Sequence, residues 1–543
     1  MFVKHLIFFT YCLLFAMPSM AQRLAAETTK TEGKVMRIIS AERLNFLTID
    51  SLHKFTSLAG KVHVKQEKTD FYADSAIINE IDNSLEAFGN VHINDEDSVH
   101  TYAQYLKYLG KEKKAFLKKR VKLTDGKGEL TSEELEYDVT LKIGTYLTGG
   151  KLINKKTNLT STEGYYYGET KDVIFRRKVI LLDPEYKVLT DTLQYNTSTE
   201  IATFISPTTI YSDSGRRTIK TRQGFFDMKN KKGILNKRSV VDDSTYTFTS
   251  DDMYVDDSTK LDEFRGNAVY RGKDTAEGFD MIANNIKTNR KKDILLATQK
   301  PLLIIKQGKD TIYVSADTLY SARLTDLLKS RKVPIVRDSM PKIILSDTTN
   351  SSDSSNKYLE AYFNVRIFSD SLQATCDSLF YSLQDSVFRL FRNPTVWAKE
   401  NQITGDTIYL YVKNKKPERM YVFENAMTLS KVDSTTYYNQ LKGTTINALF
   451  IDGQINSMRA KGNAENVYYG QDEQKRFIGV NKSTADIIDV LFDDNKPKRV
   501  TFLRNLDGNM YPMRQVNHED IKIRGFKWLD GIRPKTKFDI FSN

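Results

Sequence analysis

The chain has 543 residues, 40% of them hydrophobic and 28% charged, with a formal net charge of +12 at pH 7. A mean hydropathy of −0.47 argues against a helical membrane protein, and 29 Tyr and 29 Phe against 11 Pro argue against disorder. Two cysteines are too few for a disulfide scaffold.

The first element in chain order is a secretory signal over residues 1–21. Lys4 and His5 form a basic start, residues 6–17 are apolar, and Ser19-Met20-Ala21 places small residues where a signal peptidase reads them. The apolar run is shorter than the roughly 20 residues of a spanning helix. Cys12 leaves with the signal, so Cys376 stands alone in the mature chain, which must be held by packing and ladder hydrogen bonds. In an exported protein the positive charge suits phosphorylated lipid or an anionic membrane surface rather than nucleic acid. Solubility alone would also explain it.

From residue 22 onward the chain repeats one unit. Its core reads small, polar or acidic, any, apolar, any, aromatic or apolar. The copies begin at Ala41, Ala73, Ala103, Ser132, Thr162, Thr190, Thr221, Ser250, Ala283 and Ala316, then at Cys376, Gly405, Gly443 and Ala485. Up to residue 316 the starts are 28 to 33 residues apart, and every first position is small. A second element precedes many copies: a turn residue or basic pair, then a β-branched strand. Gly60-Lys61-Val62, Gly89-Asn90-Val91, Arg177-Lys178-Val179, Gly266-Asn267-Ala268 and Gly462-Asn463-Ala464 are examples.

Positions four and six of the core are two residues apart, so in a strand they share a face. Leu135 with Tyr137, Leu193 with Tyr195, and Leu379 with Tyr381 are therefore expected as apolar pairs on one side of a sheet. The polar second position suits a turn, and the small first position suits a close backbone approach. Units of about 30 residues cannot bury a face alone and must stack. The fold expected is all-β: an elongated, repetitive β-jellyroll or β-solenoid of stacked ~30-residue units. At one rung per unit the rod would be roughly 65 Å long and would leave a long, open apolar groove.

The organisation expected is a signal at 1–21, a β-repeat array at 22–325, a flexible polar insertion at 326–357, further repeats at 358–505, and a tail at 506–543 that caps the last rung or docks a partner. No phosphate-binding loop, nucleophile elbow or paired cysteine motif is present, so the chain reads as a non-enzyme without cofactor. His63 and His92 occupy equivalent places and would stack, but no Cys or second His completes a metal site at ligand spacing.

The repeated strand followed by small-Asp-x-apolar-x-aromatic, carried by residues 60–78, 89–108 and 178–195, resembles the OstA-like domain of the lipopolysaccharide-transport bridge proteins. The resemblance covers residues 33–325 well and 358–505 more loosely. It implies a twisted, V-shaped β-jellyroll in the periplasm that holds the acyl chains of lipid A between its sheets. It also implies head-to-tail self-association and partners among the inner- and outer-membrane components of the transport machinery. The residues matching inward, lipid-binding family positions are Val62, Val64, Val91, Ile93, Leu106, Leu135, Val179 and Leu193. The chain is far longer than one bridge module, which leaves a long bridge, a fused form or an outer-membrane-associated accessory. The alternative is a structural or adhesive β-solenoid scaffold without lipid cargo.

Overall fold

The computed structural model describes residues 35–541, apart from 51–52, 274–278, 308–309, 336–342, 345–355, 383, 414–415, 433–434 and 494–495. The expected signal and most of the polar insertion lie outside the described residues.

Alternating apolar and polar residues make each repeat two long antiparallel strands. The first are His53–Gln66, Thr69–Asn79, Ser84–Asp95, Val99–Leu109, Lys114–Thr124 and Glu129–Asp138. Each pairs with the strand before it and the strand after it, and this meander continues to the last strands. The array is thus an antiparallel meander rather than a coil of one rung per unit. Two strands per unit double the expected length, to roughly 130 Å at the usual strand spacing.

Every long strand bends in the middle, and the bends align into one crease. On one side of the crease lie 62–66, 69–73, 91–95 and 99–103 (sheet I). On the other lie 53–59, 75–79, 84–88 and 105–109 (sheet II). The register slips at each crossing: between Phe88 and Val91 two residues, Gly89 and Asn90, oppose the single Gln104. Such a bulge sharpens twist and turns the strand. Its residues take left-handed backbone, φ 71° at Gly89 and 39° at Asn90, 62° and 54° at Arg177 and Lys178, and 69° and 45° at Gly266 and Asn267. The glycine-asparagine and basic pairs of the sequence are therefore the crease itself. A side chain on Gly266 would meet Asp251 Oδ2 at 2.8 Å.

The small-acidic pair of the core motif falls on the same crease, where a lead-in turn was expected. Its carboxylate does a specific job there: Asn90 Nδ2 donates to Asp74 Oδ2 at 3.0 Å, Asn267 to Asp251 at 2.8 Å, Asn364 to Asp317 at 2.9 Å and Asn505 to Asp486 at 3.1 Å. A bulge leaves backbone that the ladder cannot satisfy, and this side-chain latch holds it in one conformation.

The two sheets close on each other over one hydrophobic core that runs from Met36 to Val490. Leu135, Tyr137, Leu193, Tyr195, Leu379 and Tyr381 all face it, as the period of two requires. After Thr318–Arg323 the chain leaves the array through the short helix Leu324–Leu328 and rejoins it at Lys357–Phe368.

The tail crosses the outer face of sheet I instead of covering the last edge. Three buried glutamines grip it, two by its backbone and one by the Arg533 side chain. Ile523 N donates to Gln440 Oε1 at 2.8 Å, Leu529 N to Gln402 Oε1 at 2.6 Å, and Arg533 donates to Gln373 Oε1 at 2.7 Å. Farther on, Ser315 Oγ donates to the carbonyl of Ile540 at 2.6 Å. Ile521 and Ile523 pack on outward-facing Met427, Leu429, Val467 and Tyr469. The end strands Arg37–Ser40 and Asp507–Tyr511 stay exposed along their length.

Candidate functional site

The eight residues expected to face inward come together in the interior. Val62, Val64, Val91, Ile93 and Val179 stand on sheet I, and Leu106, Leu135 and Leu193 stand on sheet II. None is more than 3% exposed, and all belong to the same core. The open trough expected between the sheets is filled here by the chain's own side chains. Phe71 of sheet I packs on Tyr108 of sheet II with ring centroids 4.5 Å apart, and farther on Phe248 stacks on Phe264 at 3.9 Å. Large aromatics make the difference, Tyr108 at position six and Phe71, Phe248 and Phe264 elsewhere in their units: they reach across the gap that two aliphatic faces would leave.

Opposite the crease, the turns of the two sheets meet along a mouth, held by one polar station per unit. At the first, Tyr108 Oη donates to Gln66 Oε1 at 2.6 Å and Lys113 pairs with Glu67 at 2.9 Å. At the second, Tyr137 Oη donates to Asp95 Oδ2 at 2.7 Å and Lys142 pairs with Glu96 at 2.7 Å. At the third, Thr197 Oγ1 donates to Asp125 Oδ2 at 3.2 Å. At the fourth, Asn154 Nδ2 donates to the Thr197 carbonyl at 2.7 Å and Lys155 pairs with Glu200.

Charge at these stations shifts their protonation. Hydrogen bonds from Lys142 and then Lys68 pull the Glu96 carboxyl down to about 2. Burial first, and then the Asp95 charge, push the Tyr137 hydroxyl far above its ordinary value. Both contacts of the second station are therefore formed at neutral pH.

Beyond residue 200 the pattern changes. Arg217, 1% exposed on sheet I, reaches Asp257 at 3.4 Å and Asp262 at 3.1 Å on sheet II, where Arg290 also pairs with both. Tyr186 Oη adds a hydrogen bond to Asp257 at 2.6 Å. Burial alone would push the Asp257 carboxyl up, but the Tyr186 hydroxyl and the Arg290 and Arg217 charges outweigh it and hold the group below its ordinary value. A cleft of about 1580 Å³ lies on one side of this cluster, lined by Tyr186, Leu189 and Lys231 among others. On the other side lies a cleft of about 780 Å³ over Tyr246, Phe248, Tyr270, Phe279 and Leu295.

Sequence reasoning found the interior and missed the mouth. Station partners lie 42 to 46 residues apart at the first, second and fourth stations and 72 apart at the third, so no local spacing marks them. The one visible signal was the recurring lysine and glutamate of the turns.

His63 and His92 do stack, but through an intervening tyrosine on the outer face of sheet I. Ring centroids are 4.4 Å apart for His63–Tyr72, 5.5 Å for Tyr72–His92 and 4.5 Å for His92–Tyr102. His63 Nε2 bonds Asp70 at 2.7 Å. Among the described residues no group of three or more His, Cys, Asp or Glu is placed to hold a metal ion. No described helix is long and apolar enough to cross a membrane. Cys376 is buried, and burial pushes its thiol well above the ordinary range, so it is an inert core residue.

A search of curated proteins finds no match to the chain. A family model described as OstA-like protein matches residues 36–191, the stretch whose mouth is latched at every unit. Over those residues, less than a third of the chain, it is similar to the OstA-like family.

Proposed function

We propose that the chain is a non-enzymatic periplasmic carrier that holds the acyl chains of lipopolysaccharide between its two sheets on their way to the outer membrane. The observation that carries this reading is the single apolar interior, continuous across an OstA-like array and closed on one side only by polar contacts. The magnitudes favour loading. Each station at the mouth is worth about 1 to 3 kcal/mol, since exposed ion pairs and neutral hydrogen bonds contribute little and a bond to a buried carboxylate such as Asp95 more. An acyl chain of about a dozen carbons gains on the order of 10 kcal/mol on leaving water, at about 0.8 kcal/mol per methylene. Parting the sheets over a few units is therefore offset by the chain that replaces their mutual packing. Val62, Val64, Val91, Ile93, Leu106, Leu135, Val179 and Leu193 would line the acyl chains.

The two exposed end strands supply the means of assembly. An unpaired edge is completed by another strand, so Arg37–Ser40 and Asp507–Tyr511 suit head-to-tail pairing of copies or docking on a β-rich membrane partner.

The test is a photoreactive residue placed at Val91 or Leu193 in living cells, with Lys122 on the outer surface as control. Lipid adducts at the two interior positions and none at Lys122 are expected. The filled interior favours one competing reading, a scaffold that never opens. Protein that repeatedly yields no lipid on extraction and mass spectrometry would establish that reading instead.

A further inference from the structure

The latched mouth and the clefts beyond it divide the array in a way the family match does not. Up to residue 200 each unit ties sheet I to sheet II. The 780 Å³ cleft lies wholly beyond residue 191. Its floor is the interior itself: Phe248, Tyr270 and Leu295 belong to the core, with Tyr246 and Phe279 packed against it.

The rim of this cleft is basic. Arg216, Lys260, Arg290, Lys291, Arg323 and Lys357 face three acidic residues, Asp213, Asp243 and Asp293. Arg290 is committed to Asp257 and Asp262, Lys260 to Asp257, and Lys357 and Arg323 to Asp293. Arg216 and Lys291 are exposed, and Arg216 Nε donates to the Asp213 carbonyl at 3.4 Å. An apolar floor under an excess of positive charge fits an amphiphile with acyl chains and an anionic head, the chains lying on the aromatics and a phosphate on the guanidinium and ammonium groups.

We propose that this cleft is the lateral portal through which an acyl chain passes between the outside and the interior, with a lipid phosphate held at the rim by Arg216 and Lys291. The proposal rests on the carrier reading above and adds where cargo crosses the wall. The cleft adds exposed cations to an aromatic floor, where the eight inward positions named above are purely aliphatic. A lipid phosphate that stays at the rim keeps its charge in water while its chains move inward, which avoids burying an anion.

The test uses the full-length chain and bis-phosphorylated lipid A in detergent micelles. A photoreactive phenylalanine analogue replaces Tyr246 in one protein and Leu193 in another. Adducts are expected at both. The double variant Arg216→Glu with Lys291→Glu should cut the Tyr246 adduct and the affinity for the bis-phosphorylated lipid by about fivefold or more, with less effect on a dephosphorylated lipid. Both substituted residues are exposed, and an unchanged melting temperature shows that the variant folds. An adduct at Leu193 without one at Tyr246, or a charge reversal without effect, overturns the portal and leaves the carrier standing. No adduct at Leu193 removes the carrier and the portal with it. Inorganic phosphate that occupies the rim while lipid leaves Tyr246 unlabelled would mark a free-anion site and likewise overturn the proposal.

Discussion

Asn267 shows how much one residue does in this fold. It sits at φ 45°, and its side chain donates to Asp251 across the crease. Glycine keeps the backbone and loses only the hydrogen bond, while valine loses both. Asn267→Gly is expected to cost about 1 kcal/mol and Asn267→Val about 2 to 3 kcal/mol, read as ordered drops in melting temperature. Glu96 gives a pH signature at the same scale. Its folded carboxyl titrates near 2 instead of 4.5, so it binds protons more weakly in the folded chain than in the unfolded one. Its contribution is present above about pH 4.5 and fades as pH falls toward 2. Amide exchange in the 96–98 and 139–142 turns should rise over that window, and Glu96→Gln should abolish the dependence. What the sequence showed of these residues was their recurrence. It did not show that the aspartate of one strand serves the asparagine of the next, because the crease that joins them exists only after pairing.

At the scale of the element, the bent strand was half legible. The period of two put alternate residues on one face without saying which face is inward; the resemblance supplied Val62 to Leu193 as inward positions, and these residues are buried. The meander was not legible: a unit of 30 residues accommodates one coil or two bent strands equally well, and the double left-handed bulge is what decides. Nor was the mouth, whose partners belong to different units. Leu193 tests the element directly. Leu193→Ala should destabilise its region by about 2 to 5 kcal/mol, with the larger value if the two sheets cannot settle into the void. In an array this long the loss should be confined to neighbouring units, so it is best measured as local amide exchange, with strands near residue 450 unchanged.

The whole molecule is open at both ends and strapped along one face. If the bare end strands pair, association should rise with protein concentration. A charge at Ile39, half exposed on the first strand, should suppress it: Ile39→Lys is expected to leave a monomer in sedimentation at concentrations where the parent chain grows. A chain truncated after Tyr511 should keep its strands yet expose Met427, Leu429, Val467 and Tyr469, seen as new binding of an apolar dye with little change in β-sheet signal. The strap also orders events in time. Every strand closes on the one just before it, so the array can zip up progressively from its first residues. The bond from Ser315 to Ile540 spans 225 positions, and it cannot form until every strand beneath the strap is in place. The strap thus acts as a completion mark: a copy that stalls part-way keeps a greasy flank on view for chaperones and proteases, and a finished one hides it.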